Sequence, residues 1–211
     1  MSYFRPVWGT LSPPPARTSP HGAHRQISSA WSPTLSALNM TDERNQPDEI
    51  SLFLRSQRDT ARLGRTFGQA LQPGDLVLLE GELGAGKTCL VQSIVRALGV
   101  PSDQPVTSPT FEILHEFHGQ FPIVHADLYR LDPSESLEEL GLLQRIAGDA
   151  LVLIEWGERF ARELGDFGVR VSMELGVGEE RRCTLRARGE RGLPLFTRLA
   201  TLLSSSTLSR G

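Results

Sequence analysis

DLVLLEGELGAGKTCLVQSIVRAL, residues 75–98, runs from an apolar segment through a glycine-rich turn into a stretch of helical periodicity. The apolar segment, DLVLLE at 75–80, is bounded by Gly74 and Gly81 and lacks polar alternation, which is the pattern of a strand buried on both faces of a sheet. From Lys87 onward, Leu90, Ile94 and Leu98 share one stripe of a helix. Strand, turn and helix in that order make a parallel α/β sheet the leading expectation.

The turn itself, GELGAGKT from Gly81 to Thr88, fits the phosphate-loop pattern G-x-x-x-x-G-K-[ST]. Its glycines let backbone N–H groups turn onto an anion without Cβ obstruction, and the following helix offers its positive N-terminal end. The expected cradle comprises Glu82, Leu83, Gly84, Ala85 and Gly86, then Lys87, Thr88 and Cys89 as the helix begins. Lys87 would supply a mobile ammonium to the β and γ oxygens, and the Thr88 hydroxyl would coordinate Mg²⁺. Lysine and arginine together number 22, yet Lys87 is the sole lysine. A planar guanidinium cannot replace a point-charge ammonium in such a pocket, which explains why lysine survives here alone.

Around this centre the pattern stays regular from about residue 50. ISLFL reads as a short strand and SQRDTARLGRTFGQAL as a helix, capped by Ser56 and with Leu63, Phe67 and Leu71 facing the core. TFEILHEF and FPIVHADLYRL read as strands separated by a turn at Gly119. DPSESLEELGLLQRI then reads as a helix, with Asp132 as N-cap, Pro133 at the first position and Glu135 at the third. ALVLIEW is a further buried strand, and GERFAREL is helical. Val169, Val171, Met173 and Leu175, then Cys183, Leu185 and Ala187, alternate in two runs joined by GVGEE, which suggests an antiparallel hairpin. The expected architecture is a single P-loop NTPase domain of the α/β class, residues 40–205. It would have a mostly parallel central sheet, C-terminal antiparallel strands, flanking helices and a short tail at 206–211.

At 211 residues and 39% apolar content the chain can bury one core. It holds neither a run of about 20 apolar residues nor an N-terminal signal core, so the expectation is a soluble cytoplasmic protein with no membrane partner. A net charge of -3 argues against a chain-wide grip on DNA or RNA. Cys89 and Cys183 match no metal or redox spacing and read as small buried hydrophobes. Residues 1–39 contain no Asp or Glu and are broken by Pro13, Pro14 and Pro15. Such a segment cannot build a core. Three readings are open: a disordered extension, a transit peptide, or an over-extended start before Met40. The last is preferred, because MTDERNQPDE is an ordinary soluble N-terminus.

A phosphate loop also needs an acid for the metal and a group that positions the attacking water. Glu155 ends the strand LVLI, and Asp127 lies in HADLYR at the end of PIVHA; both fall at the carboxyl ends of strands, where sheets of this kind bind ligands. The plain alternatives are a turn cap for Asp127 and a surface acid for Glu155. TSPTF, with hydroxyls at Thr107, Ser108 and Thr110, is either a switch-like loop sensing the γ-phosphate or simply a loop entering a strand. His115, His118 and His125 read as structural. Arg182, Arg186 and Arg188, with Arg181 and Arg191 nearby, form a solvated face or a docking surface.

GELGAGKT, VTSPTF, HADLYRLDP, EELGL and LVLIEWGER, in this order and spacing, resemble the TsaE family, formerly YjeE, over roughly residues 50–190. Phe117 departs from it, since the family often has tyrosine after SPTF. The resemblance implies an ATPase needed for threonylcarbamoyladenosine formation in tRNA. ATP and Mg²⁺ would be its cofactors, TsaB and TsaD its partners, and its link to tRNA indirect. It implies that Lys87 and Thr88 bind phosphate and Mg²⁺ and that Thr110 belongs to a switch-like loop. Asp127 would serve the metal and its water, Glu155 would be the Walker B-type acid or water-orienting base, and Trp156 would lie beside the nucleotide. The competing expectation is a small-molecule kinase using the same loop, with the C-terminal arginines as a lid. A GTPase is disfavoured, because no second lysine exists to supply N-K-x-D.

Overall fold

The computed structural model describes residues 49–107, 113–132 and 134–208. Residues 1–39, the hydroxyl-bearing Ser108 and Thr110, and Pro133 lie outside the described residues. Among the described residues seven strands form one sheet: β1 (Glu49–Leu54), β2 (Leu76–Glu80), β3 (Leu114–His118), β4 (Pro122–Asp127), β5 (Leu151–Glu155), β6 (Val169–Leu175) and β7 (Arg181–Ala187). Their spatial order is β1-β7-β6-β2-β5-β4-β3. The four central strands, β6, β2, β5 and β4, are mutually parallel. Antiparallel partners close both sides, β7 and β1 on one and β3 on the other. The α/β architecture expected from the sequence is the one observed.

Helices α1 (Gln57–Ala70), α2 (Lys87–Ala97) and α4 (Gly189–Leu208) cover one face, and α3 (Leu142–Ala147) lies on the other. β2 serves both: Val77 and Leu79 pack toward α1 and α2, while Leu76 and Leu78 pack with Leu137, Leu142 and Phe160. That two-sided burial is why its sequence shows no alternation. α1 starts where expected, with the Ser56 side chain accepting from the Asp59 N–H and Asp59 Oδ2 accepting from the Arg55 N–H at 3.0 Å.

Three elements differ from the sequence reading. The reciprocal cap at Asp132 forms, with Glu135 Oε2 accepting from the Asp132 N–H at 2.8 Å, but it closes only a turn. Continuous helix begins at Leu142, after the chain passes through a left-handed conformation at Gly141. GERFAREL is likewise a single 3₁₀ turn, Gly157–Phe160, followed by further turns. Conversely, α4 has no counterpart in the sequence reading. Gly189, Gly192 and Pro194 mask a buried stripe of Leu195, Phe196, Leu199 and Leu203. Arg198 latches this helix to the end of α1 and the connection into β2, donating to the Ala70 carbonyl at 2.7 Å and to Asp75 Oδ2 at 2.6 Å.

α1 and α2 pack unusually close because α1 presents glycines at the contact. A Cβ on Gly64 would lie 2.3 Å from Ser93 Cβ, and one on Gly68 2.5 Å from Ala97 Cβ. This contact sets the seat of α2, and therefore of the loop that precedes it. Gly64→Ala is expected to destabilise the fold by about 1–3 kcal/mol through overpacking, read as a lowered denaturant midpoint with unchanged slope.

Candidate functional site

The site is built where β2 ends. Gly81 leaves the strand at φ 136°, and a Cβ there would lie 2.1 Å from the Met173 carbonyl oxygen of β6, so only glycine lets the loop turn here. Gly86, at φ 103°, hands the chain to α2, whose N-terminus carries no side-chain cap. An uncapped helix start behind a loop of this geometry is a ready site for phosphate oxygens.

Lys87 folds back along the loop. Its Nζ donates to the Gly81 carbonyl at 2.7 Å and the Glu82 carbonyl at 3.0 Å, and lies 3.9 Å from the centroid of the Trp156 ring. Burial pulls the ammonium below the ordinary lysine range, while the charges of Glu155, Glu158 and Asp127 oppose that shift. Thr88, one residue into the helix, donates from Oγ1 to Glu155 Oε2 at 3.0 Å. The bond is possible because β5 pairs in parallel with β2, in register Leu79 with Glu155, so the acid at the end of β5 lies under the first turn of α2.

β4 runs on the far side of β5, with Asp127 opposite Glu155. Both carboxylates are buried, at 7% and 2% exposure. Asp127 Oδ1 accepts from the Tyr129 N–H at 3.0 Å, which bends the chain after the strand. The Tyr129 ring lies 4.9 Å from that of Trp156, and Trp156 is the sole non-glycine residue with positive φ, 61°, among the described residues. Arg159 supports this corner from behind by donating to the carbonyls of Leu128, Tyr129 and Leu131.

These groups converge on a cavity of about 250 Å³ lined by Leu83, Gly84, Gly86, Lys87, Thr88, Cys89, Asp127, Tyr129, Glu155 and Trp156. Of the residues expected from sequence, Ala85 lies buried and contributes nothing to this lining, and Glu82 contributes its carbonyl to Lys87. Thr110 lies outside the described residues. A second hollow of about 180 Å³ opens on the other flank of the loop, between Gly84, Ala85, Gly86 and Cys89 on one side and Ser56, Gln57, Thr60, Glu179 and Arg181 on the other. Cys89 is therefore at the site and only half-buried, unlike Cys183, which is fully enclosed with its thiol pushed up to about 12 by burial.

The chemistry of the donor set suits a small hard cation. One hydroxyl and two carboxylates supply oxygen, and among the described residues no cluster of three or more His, Cys, Asp or Glu could cage a metal alone. A cation held here would complete its shell with phosphate and water, as Mg²⁺ does. Sequence reasoning gave no role to Tyr129 and Arg159 and read His125 as structural. His125 Nε2 lies 3.0 Å from Glu155 Oε1. Its one sequence signal was a polar residue two positions before Asp127 inside an apolar strand. Of the arginine face, Arg182, Arg186 and Arg191 are exposed as expected, and Arg188 departs from it. Arg186 pairs with Glu49, and Arg188 is buried, donating to the Gly165 carbonyl at 2.6 Å rather than facing solvent.

A family model described as "Threonylcarbamoyl adenosine biosynthesis protein TsaE" matches residues 54–183. A protein of Treponema pallidum (strain Nichols) named "tRNA threonylcarbamoyladenosine biosynthesis protein TsaE" is 39% identical over 131 residues, 62% of this chain and 96% of its own. Proteins of the same name from Nostoc sp. and Streptomyces coelicolor are each 41% identical, over 67% and 61% of this chain and 87% and 90% of theirs. A solved structure described as "Crystal structure of Bacillus subtilus YdiB" superposes with a TM-score of 0.60 at 26% identity, covering 72% of this chain and 95% of that one. With the family model spanning more than half of its residues, the chain belongs to the TsaE family.

Proposed function

We propose that this protein is a Mg²⁺-dependent ATPase of tRNA threonylcarbamoyladenosine biosynthesis, acting in the cytoplasm by docking on and resetting a complex of TsaB and TsaD. The observation that carries the ATPase reading is the bond from Thr88 Oγ1 to Glu155 Oε2, which joins the metal-binding hydroxyl of a phosphate loop to the acid of the neighbouring strand. The names of the relatives support the pathway.

In this reading Lys87 and the loop N–H groups hold the phosphates, and Thr88, Asp127 and Glu155 hold Mg²⁺ directly or through water. The bound metal supplies charge neutralisation on the phosphate oxygens. Glu155 or Asp127 orients the attacking water, and the carboxylates, buried away from bulk solvent, act with little reorganisation. The hollow on the Cys89 flank of the loop would receive the nucleoside. Trp156 and Tyr129 wall the phosphate side, and the segment TSPTF, 107–111, with Thr110, would sense the γ-phosphate as a switch. The kinase alternative gains no observation, since the arginines of β7 sit in a paired strand and not in a lid.

Lys87→Ala is expected to weaken ATP binding at least tenfold by calorimetry, and Lys87→Arg to do nearly the same. Glu155→Ala should leave ATP affinity within a few-fold while turnover falls on the order of 10²-fold; normal turnover in that variant would remove the assigned role. ATP hydrolysis by the full chain, alone and with TsaB and TsaD added, tests the coupling. A rate that rises with the pair supports it, whereas a rate indifferent to the pair but stimulated by a small hydroxyl acceptor transfers the assignment to the kinase.

A further inference from the structure

We infer that His125 is a positioning residue for Glu155, fixing which carboxylate oxygen faces Thr88; the inference rests on the ATPase reading above. His125 lies in the middle of β4, fully buried, in a strand that is otherwise apolar up to Asp127. In the parallel register His125 sits opposite Leu153 and Asp127 opposite Glu155, so these four residues share one face, the face that α2 covers. The imidazole is thus a diagonal neighbour of Glu155, one step deeper in the sheet than the site itself.

The two bonds to Glu155 divide its carboxylate. Oε1 lies 3.0 Å from His125 Nε2, and Oε2 accepts from Thr88 at 3.0 Å. As the metal-side acid of the ATPase reading Glu155 would act as a carboxylate, which only accepts, and the donor of this pair is then Nε2. Nδ1 has no hydrogen-bond partner among the described residues and is buried, which suits a bare ring nitrogen and would leave an N–H there unsatisfied. The ring is therefore held in one tautomer, with its donor aimed at one oxygen of the acid. This is the arrangement by which a buried imidazole orients a carboxylate without touching substrate. A histidine present only to fill the core would be replaceable by an apolar residue of similar size, because nothing else in its surroundings uses its polarity.

The test separates the donor from the bulk. In the full chain with TsaB and TsaD present, His125→Phe keeps an aromatic ring and removes the donor. Its kcat is expected to fall about 10- to 100-fold, with ATP affinity within about twofold of the unaltered protein. His125→Gln, whose amide nitrogen stands the same number of bonds from the backbone as Nε2, should recover most of that loss. In a Glu155→Gln background, His125→Phe should cost little more, because the two residues act as one unit. Unchanged kcat in His125→Phe, equal losses in the Phe and Gln variants, or an undiminished penalty in the Glu155→Gln background would each overturn the inference. A readout independent of turnover comes from long-range ¹H–¹⁵N spectra of the unaltered protein. They should show His125 protonated on Nε2 with Nδ1 bare; the opposite tautomer overturns the proposal even if His125→Phe does not fold. Should the unaltered protein hydrolyse no ATP, the ATPase reading fails, while the spectra still decide whether the histidine holds the acid.

Discussion

Placing β5 between β2 and β4 is the constraint from which the site follows. A strand inserted beside the one that feeds the phosphate loop brings its terminal acid, Glu155, beneath Thr88, and the next strand outward brings Asp127 level with it. Without that order the loop would still cradle an anion but would have no buried carboxylate within reach of its hydroxyl. The order in turn depends on strands apolar on both faces, since β2 and β5 each lie under helices on two sides. The phosphate loop is thus one half of a device whose other half is sheet topology.

Much of this was legible in sequence, and for identifiable reasons. LVLLE and LVLIE are unbroken apolar runs ending in an acid, a pattern only a doubly covered strand tolerates. Ser56 and Asp59 mark the start of α1 through a local bond, and local bonds are what a linear reading sees. The same reading overreached at Asp132, where the capping pair is real but Gly141 keeps the following residues from extending it into one helix. It overlooked α4 because glycine and proline in the first two turns obscure a buried stripe that tertiary contact stabilises.

The residues around the acids were hidden for a different reason. His125 and Glu155 are thirty residues apart and meet only through the register of neighbouring strands, which no spacing along one chain reveals. Arg159 supports the Tyr129 corner through carbonyl groups, which carry no side-chain signature at all. Arg188 looked like the end of an exposed basic row, yet it falls just past β7, where the backbone turns inward and its guanidinium satisfies loop carbonyls. Periodicity identified the elements, and the site needed their pairing.

The edge of the sheet carries a consequence for how the protein is made. Among the described residues β1 pairs with β7 alone, and Ser51 meets Thr184 across a sequence separation of 133 residues. β1 therefore has no partner from this pairing until β7 has been synthesised. α1, which packs on α2 and later on α4, is the local structure that can form meanwhile. The glycine-rich loop can therefore take shape on β2 and α2 before the sheet closes, and its final seat against Met173 comes only with β6. The loop's own fold is thus local, whereas the acids of β4 and β5 and the pairing of β1 with β7 need chain that is made later.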